Sequence, residues 1–246
     1  MIAARWLGVE RRELSRCAST NDEAEAWARD GAPHGAVVIA REQTAGRGRG
    51  GHRWHSPDGD NVYLSCVLRP ALAPHDVPPV TLAAGVGVCD AVNSWGVRAS
   101  LKWPNDVLVM NRKIAGILTE MSTRGKTLEH LILGVGVNLN GASFPPDIEP
   151  IAISLRTALG GRRVDCAAFT STLLARLERW LDRFFAGGVG AISAPWTERA
   201  SIAGRRIQTD AATGIARGID AGGALLVQDD RGTVHRVVAG DVTVLR

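Results

Sequence analysis

The stretch Gln43-Thr44-Ala45-Gly46-Arg47-Gly48-Arg49-Gly50-Gly51-His52-Arg53-Trp54 lies between two apolar runs, Ala36-Val37-Val38-Ile39-Ala40 and Val62-Tyr63-Leu64-Ser65-Cys66-Val67-Leu68. The flanking runs read as strands, so the stretch is a long loop carried on a rigid sheet, where functional loops are found. Its glycines let backbone N–H groups approach an anion, and its arginines supply charged, forked donors that match carboxylate or phosphate. Ordering so flexible and charged a loop costs entropy, which a bound ligand can offset. RNA-binding Arg-Gly tails are long, repeated and disordered. This run is single and sits inside a folded pattern. A solvated glycine-rich hairpin would be the default reading if the loop stood alone.

Three further clusters accompany it. Leu101-Lys102-Trp103-Pro104-Asn105-Asp106 is followed by Val107-Leu108-Val109-Met110 and then Asn111-Arg112-Lys113-Ile114-Ala115-Gly116-Ile117-Leu118. Proline fixes φ and Asn/Asp bond their own backbone, so this is strand, turn, strand, with a second tight turn at Asn111-Arg112. Lys113 opens an otherwise apolar strand, which is costly without an anionic partner, although a snorkelling strand-end lysine is common. Asp106 reads equally well as a simple turn-former. Leu131-Ile132-Leu133-Gly134-Val135-Gly136-Val137-Asn138-Leu139-Asn140 is an apolar strand whose two glycines share a face. Glycine inside a strand marks close approach by a ligand or another backbone. No third glycine opens a helix after it, so it is not a dinucleotide fingerprint. Ser19-Thr20-Asn21-Asp22-Glu23 precedes Ala24 to Arg29 and Gly31. Thr20 with Glu23 has capping-box spacing and Gly31 suits the C′ position, so a helix is expected near residues 21 to 30. That explanation leaves Ser19 and Asn21 without a job.

Taken together and in this order, the four clusters resemble the catalytic domain of biotin protein ligases from about Ser19 to Asn140. Gly-Arg-Gly-Arg followed by Trp, Lys-Trp-Pro-Asn-Asp with a lysine seven residues after the aspartate, and Gly-Val-Gly-Val-Asn are family-specific only in combination. Arg217-Gly218-Ile219-Asp220 through Gly223-Ala224-Leu225-Leu226-Val227 is similar to the family's small C-terminal barrel. One departure stands in the loop, where the family's third arginine is His52 here, with Arg53 next to it.

The resemblance implies an α+β fold: a mixed β-sheet catalytic domain with helices packed on it, like class II synthetases and biotin–lipoate ligases, plus a small SH3-like β-barrel. The domains are expected at 1–200 and 201–246. It implies a two-step ATP-dependent ligase that forms biotinyl-5′-AMP and passes biotin to a lysine of a biotin carboxyl carrier protein. Lys113, Arg47, Arg49 and Asp106 are the implied catalytic residues. Lys113 would meet the biotin carboxylate and α-phosphate, and Asp106 would orient the incoming lysine or the metal. Ser19, Thr20, Asn21, Gln43, Arg47, Gly48, Arg49, Lys113 and Gly116 are the implied biotin contacts, with Gly134 and Gly136 leaving room for the ring and tail. Arg49, Trp54 and Asn138 fall at the adenylate end. ATP and Mg²⁺ are the implied cofactors, and a homodimer is compatible with the resemblance. Lipoate or octanoyl ligases share the fold but as a rule lack this loop and the Lys-Trp-Pro-Asn-Asp element. A non-enzymatic RNA-binding module would need stacking aromatics near the basic run, and only Trp54 qualifies.

Composition bounds these expectations. With 246 residues, 45% of them hydrophobic, the chain can bury a large core and hold a second small domain. A net charge of +4 suits anionic ligands and is too small to argue for nucleic acid. Cys17, Cys66, Cys89 and Cys166 have no zinc or redox spacing, and Cys66 and Cys89 sit in apolar runs. Neither a membrane-length apolar run nor a signal peptide at Met1-Ile2-Ala3-Ala4-Arg5 is present, so a cytoplasmic protein is expected. Repressor members of the family carry a helix-turn-helix ahead of the catalytic domain. Only 18 residues precede Ser19, too few for three packed helices, so DNA binding of that kind is not expected. Phe169, Leu173, Leu177, Leu181 and Phe184 form one stripe of a helix over Asp165 to Phe185, and a further helix is expected around Val189 to Arg199. From Ile202 the pattern changes to short strands with turns at Asp210, Ala221-Gly222-Gly223 and Asp229-Asp230-Arg231-Gly232, a five-strand barrel.

Overall fold

The computed structural model describes residues 4–59 and 61–245; Met1, Ile2 and Ala3, on which part of the signal-peptide reading rests, lie outside them. The chain runs β1 (Arg11–Cys17), α1 (Thr20–Arg29), β2 (Val37–Gln43), β3 (Val62–Leu68), α2 (Val80–Asn93), β4 (Ala99–Lys102), β5 (Asp106–Val109), β6 (Arg112–Arg124) and β7 (Thr127–Val137). It continues through α3 (Leu155–Ala158), α4 (Cys166–Gly187), α5 (Ser193–Arg199), β8 (Arg206–Gln208), β9 (Thr213–Ile219), β10 (Leu225–Gln228), β11 (Val234–Val237) and β12 (Thr243–Val244). The order of strands and helices follows the sequence pattern, with ends shifted by a residue or two, except that the helix expected from Val189 begins at Ser193, after a short 3-10 turn at Gly188–Ala191.

Seven strands form a mixed sheet in the order β1-β2-β3-β7-β6-β5-β4, parallel only between β1 and β2. Because side chains alternate, each central strand feeds two cores. Leu64, Cys66 and Leu68 of β3, with Leu131 and Leu133 of β7, join the main core. That core contains α2, apolar nearly all round as a central helix must be, and the Phe169-Leu173-Leu177-Leu181-Phe184 stripe of α4. The two helices approach closely at Gly87, where a methyl group would lie 3.1 Å from Arg176 O. Val67 and Ile132, one residue out of phase, face the opposite side and pack under Ala24 and Ala28 of α1. Burial pushes the Cys66 and Cys89 thiols up to about 12, as their apolar surroundings require.

The five C-terminal strands make an SH3-like antiparallel sheet, order β11-β10-β9-β8-β12. It docks on the larger sheet through Trp103, whose indole Nε1 donates to Gly223 O at 3.2 Å, and through Gly223 against Pro79 and Leu82. Among the described residues no helix is long and apolar enough to cross a membrane.

Candidate functional site

On the α1 side of the sheet the central strands carry unusually small residues. The register pairs Ser65 with Gly134 and Gly134 with Leu118; one step along, Tyr63 pairs with Gly136 and Gly136 with Gly116. Small side chains in adjacent rows leave a depression in the sheet face beyond the N-terminus of α1. The loop between β2 and β3 folds over it, so a pocket forms with the sheet as floor, α1 as one wall and the loop as lid. Its lining contains Ser19, Thr20, Asn21, Gln43, Arg47, Gly48, Lys113 and Gly116, all the implied biotin contacts except Arg49, together with Trp54 and Asn105.

One end of the pocket is lined by neutral polar side chains, with the Glu120 carboxylate behind them accepting from Asn21 Nδ2 at 2.6 Å. Thr20 donates to Gln43 Oε1 from its backbone N–H at 2.8 Å and from Oγ1 at 3.0 Å, and Gln43 Nε2 donates to Ser56 Oγ at 2.9 Å. Ser65 Oγ bridges Thr20 Oγ1 and Asn21 Oδ1 at 2.8 and 2.5 Å. The capping box expected of Thr20 and Glu23 is not made. Ser19 is the N-cap, without a side-chain cap bond, because the Thr20 hydroxyl is drawn into the tertiary contact with Gln43. The helix stops as expected, with Gly31 at φ +92°. Ser19 and Asn21, which helix formation left unexplained, both face the pocket.

The other end is cationic. Lys113 Nζ lies 2.6 Å from Asp106 Oδ1 and 5.4 Å from the centroid of the Trp54 ring. Asp106 pairs with Gly116 and places its carboxylate beside the lysine, as the seven-residue spacing requires across the tight β5–β6 hairpin. Met110 and Asn111 make that hairpin turn with φ of 51° and 59°, a left-handed pair that matches strand twist. Trp54 Nε1 and Asp106 Oδ1 are buried with no hydrogen-bond partner among the described residues; the Lys113–Asp106 contact is an ion pair without hydrogen-bond alignment. Unpaired buried polar atoms on both sides of Lys113 mark the place where a ligand would supply the missing groups.

The glycines make space in an indirect way. A methyl group on Gly134 would overlap the Asn21 amide, and one on Gly136 would lie within 2.5 Å of Trp54 Cε2. The room that the sequence assigns to the ring and tail is taken here by Asn21 and Trp54. The remaining cavity is about 40 Å³, space for a water or two.

Two implied residues lie elsewhere. Asn138 is buried and its Nδ2 donates to Lys113 O and Ile153 O, both at 3.4 Å; it fastens the start of β6 to the segment before α3 instead of lining the pocket. Arg49 faces the cleft between the two sheets, where its Nη1 donates to Gly240 O at 3.1 Å. His52 and Arg53 are exposed, and Arg53 Nη2 donates to Thr44 O at 3.4 Å. Arg47 lines the pocket but pairs with Asp22 and Glu120. Sequence reasoning missed both carboxylates and also Ser65. Glu120 could have been found as a charge inside the apolar strand Ile114–Met121.

The model of the biotin/lipoate A/B protein ligase family matches residues 14–138, and the model of the biotin protein ligase C terminal domain matches residues 202–245. The chain belongs to the biotin/lipoate A/B protein ligase family. In this family member the match runs from within β1 to just past the end of β7, so it contains all the residues that line the pocket. Biotin--[acetyl-CoA-carboxylase] ligase from Paracoccus denitrificans is 36% identical over 89% of this chain and 94% of its own length. The protein of that name from Mycobacterium tuberculosis is 35% identical over 95% of this chain and 88% of its own length. The structure of biotin protein ligase from Aquifex aeolicus in complex with biotin and ATP superposes with a TM-score of 0.83 at 25% identity, covering 97% of this chain and 99% of that one.

Proposed function

We propose that this chain is a biotin protein ligase. In the first step a carboxylate oxygen of biotin attacks the α-phosphorus of ATP, the bond to the β-phosphate oxygen breaks, and biotinyl-5′-AMP and pyrophosphate result. In the second, the neutral ε-amine of a lysine on a biotin carboxyl carrier protein attacks the acyl carbon. The bond to AMP breaks, AMP leaves with the electron pair, and the amine loses a proton.

One observation carries this reading: the pocket has an end lined by neutral hydrogen-bonding side chains and a cationic end two strand residues apart, about 7 Å. Thr20, Asn21, Gln43 and Ser19 suit a neutral urea-like ring, which both donates and accepts. Lys113 suits the carboxylate and the phosphoryl oxygens on which charge accumulates as the anhydride forms. Lys113 would shift from Asp106 toward these oxygens, leaving Asp106 to orient the attacking amine. Trp54, between the two ends, would shield the tail from water. Arg49 and Arg53 are the free-loop cations left for the pyrophosphate side.

Among the described residues no group of three His, Cys, Asp or Glu side chains could hold a metal ion. A magnesium ion would therefore be carried in by the nucleotide's own phosphate oxygens, where it would neutralise phosphate charge. We take residues 1–200 and 201–246 as the two domains. The cytoplasm is the compartment that suits four free cysteines.

The test is pyrophosphate release that requires both biotin and ATP, followed by transfer to a carrier domain bearing its acceptor lysine. Lipoate and octanoate serve as competing substrates. Neither has a urea ring to engage Asn21 and Gln43, so activity with lipoate or octanoate exceeding that with biotin would overturn the proposal. Size-exclusion chromatography of the same protein reports whether it is a homodimer.

A further inference from the structure

Two polar side chains behind the pocket are not used by the proposed chemistry: Ser65, fully buried in the apolar strand β3, and Glu120, in the second half of β6. They meet at Asn21. Glu120 Oε2 accepts from Asn21 Nδ2 at 2.6 Å, and Ser65 Oγ lies 2.5 Å from Asn21 Oδ1 and 2.8 Å from Thr20 Oγ1. Thr20 Oγ1 in turn lies 3.0 Å from Gln43 Oε1. The row Asn21 Oδ1, Ser65 Oγ, Thr20 Oγ1, Gln43 Oε1 therefore holds three oxygen–oxygen contacts of hydrogen-bond length. Each contact needs a proton, and only the two hydroxyls own one.

Neither amide can turn to supply the third. Gln43 Oε1 accepts from the backbone N–H of Thr20 at 2.8 Å, while Nε2 donates to Ser56 Oγ, whose own proton goes to Trp54 O. Turning this amide would set Nε2–H against the Thr20 N–H. Asn21 is held by Glu120. That carboxylate faces Arg47 Nη2 at 3.1 Å and has only lone pairs to offer, so turning Asn21 would set Oδ1 against it. The row is one proton short, and one of its contacts is lone pair against lone pair. The Ser65–Asn21 contact is the shortest and keeps its proton. When the Thr20 proton also points toward Ser65, the gap falls between Thr20 and Gln43, which both line the pocket.

We infer that Glu120 and Ser65 are positioning residues that set the direction of this row, leaving the polar end of the pocket short of a proton so that it selects a ligand carrying an N–H group there. This selection deepens the biotin-ligase reading and rests on it for the ligand. A cyclic urea N–H can aim between Thr20 Oγ1 and Gln43 Oε1 and be shared by both. A dithiolane ring or an alkyl chain brings no donor and leaves the two oxygens facing each other. A site built around a ligand's donor penalises the ligand that lacks one, because its own buried polar groups then stay unpaired.

The decisive substitution is Glu120→Gln in the full chain. The new amide donates where the carboxylate cannot. Asn21 then turns, its Nδ2 donates to Ser65, Ser65 donates to Thr20 and Thr20 to Gln43, and every contact holds a proton without ligand. Loss of the Arg47 pair is a separate cost. A double-mutant cycle with Ser65→Ala removes it, because that cost is the same with and without the Ser65 hydroxyl. In ligand-free denaturant titrations, Glu120→Gln is expected to favour the folded state about fivefold more in the wild-type background than in the Ser65→Ala background, the scale of one hydrogen bond. Glu120 and Ser65 lie on strands separated by β7, so coupling between them has to pass through Asn21. In the second arm, equilibrium competition measures affinity for biotin and for octanoate, which has a carboxylate and no N–H. The ratio of the two affinities should fall about fivefold in Glu120→Gln and should not change when the same substitution is made in the Ser65→Ala background. Coupling below about twofold overturns the proton count, and a ratio within about twofold of wild type overturns the role in selection. Failure of the wild type to bind biotin overturns the functional reading instead, and the ligand-free cycle still decides the proton count.

Discussion

Replacing Lys113 with alanine separates a catalytic role from a structural one by magnitude. The substitution removes a cation 2.6 Å from Asp106 Oδ1, in a pair whose side chains are 32% and 21% exposed. At that distance Coulomb's law gives on the order of 6 kcal/mol at an effective dielectric of 20 and under 2 kcal/mol in water. Solvent reaches both groups, and the desolvation and side-chain entropy each pays offset most of the attraction, so the net folding loss is about 1 kcal/mol. In a chain of this size that lowers Tm by about 2–4 °C. If Lys113 also stabilises charge on the α-phosphoryl oxygens, adenylate formation loses about 3 kcal/mol, at least a hundredfold in rate. The two effects differ enough to be read apart. Biotin-dependent pyrophosphate release under single-turnover conditions measures the loss in rate, and a circular-dichroism melt measures the loss in stability. Lys113→Arg keeps the charge and should recover part of the rate. Adenylate formation in Lys113→Ala within about fivefold of wild type would refute the assignment, because a charge-assisted contact made in the transition state cannot be worth so little.

Other positions give independent checks. A methyl group at Gly136 collides with the Trp54 indole, so Gly136→Ala should lower stability by about 1–3 kcal/mol. Adding Trp54→Phe, which removes the colliding atoms, should restore most of that loss in a thermal melt. Burial by itself would raise the Glu178 pKa, but the N–H groups of Trp6, Leu7 and Arg5 outweigh it and hold the carboxyl below its ordinary value. A depressed pKa contributes stability that is present above the ordinary carboxylate range and is lost as pH falls through the folded value. Glu178→Gln should therefore cost about 1–3 kcal/mol at pH 7, and the gap to wild type should close below about pH 4 in denaturant titrations. For the loop's third cation, Arg53→Ala should raise escape of biotinyl-adenylate while His52→Ala stays near wild type, since arginine remains charged at every physiological pH. A leaky His52→Ala beside a tight Arg53→Ala would reverse that assignment.

Most of the fold could be read locally. The apolar runs Ala36–Ala40 and Val62–Leu68, the stripe of α4 and the turns after Ile202 are each local signals, and the structure keeps them. The pocket residues were legible for a different reason. Ser19 and Asn21 had no role in the expected capping box and Lys113 was costly at the start of an apolar strand, so these three stood out as unexplained, while Gln43 came from the family resemblance alone. Residues that satisfy a local rule misled. Thr20 and Glu23 fit a capping box so well that no sequence argument would look for Gln43, 23 residues away, as the true partner. Local side-chain bonds and tertiary ones compete for the same hydroxyl, and only the register of the sheet decides between them. Asp22 was invisible on the same ground, because an acid in the first turn of a helix already has a favourable interaction.

The roles of the three loop-side cations follow from the same logic. In sequence Arg47 and Arg49 look equivalent in the glycine-rich loop, and Lys113 is a third implied cation at the start of a distant strand. Folding distinguishes them by partner: two carboxylates for Arg47, a carbonyl of the C-terminal sheet for Arg49, and one carboxylate for Lys113. A guanidinium matched by two carboxylates has little charge left to offer a phosphate, whereas an ammonium facing one carboxylate beside unpaired buried atoms can exchange partners at small cost. On the proposed reading, stabilising the negative charge that develops on the substrate therefore falls to Lys113, while Arg47 stays held by its two carboxylates.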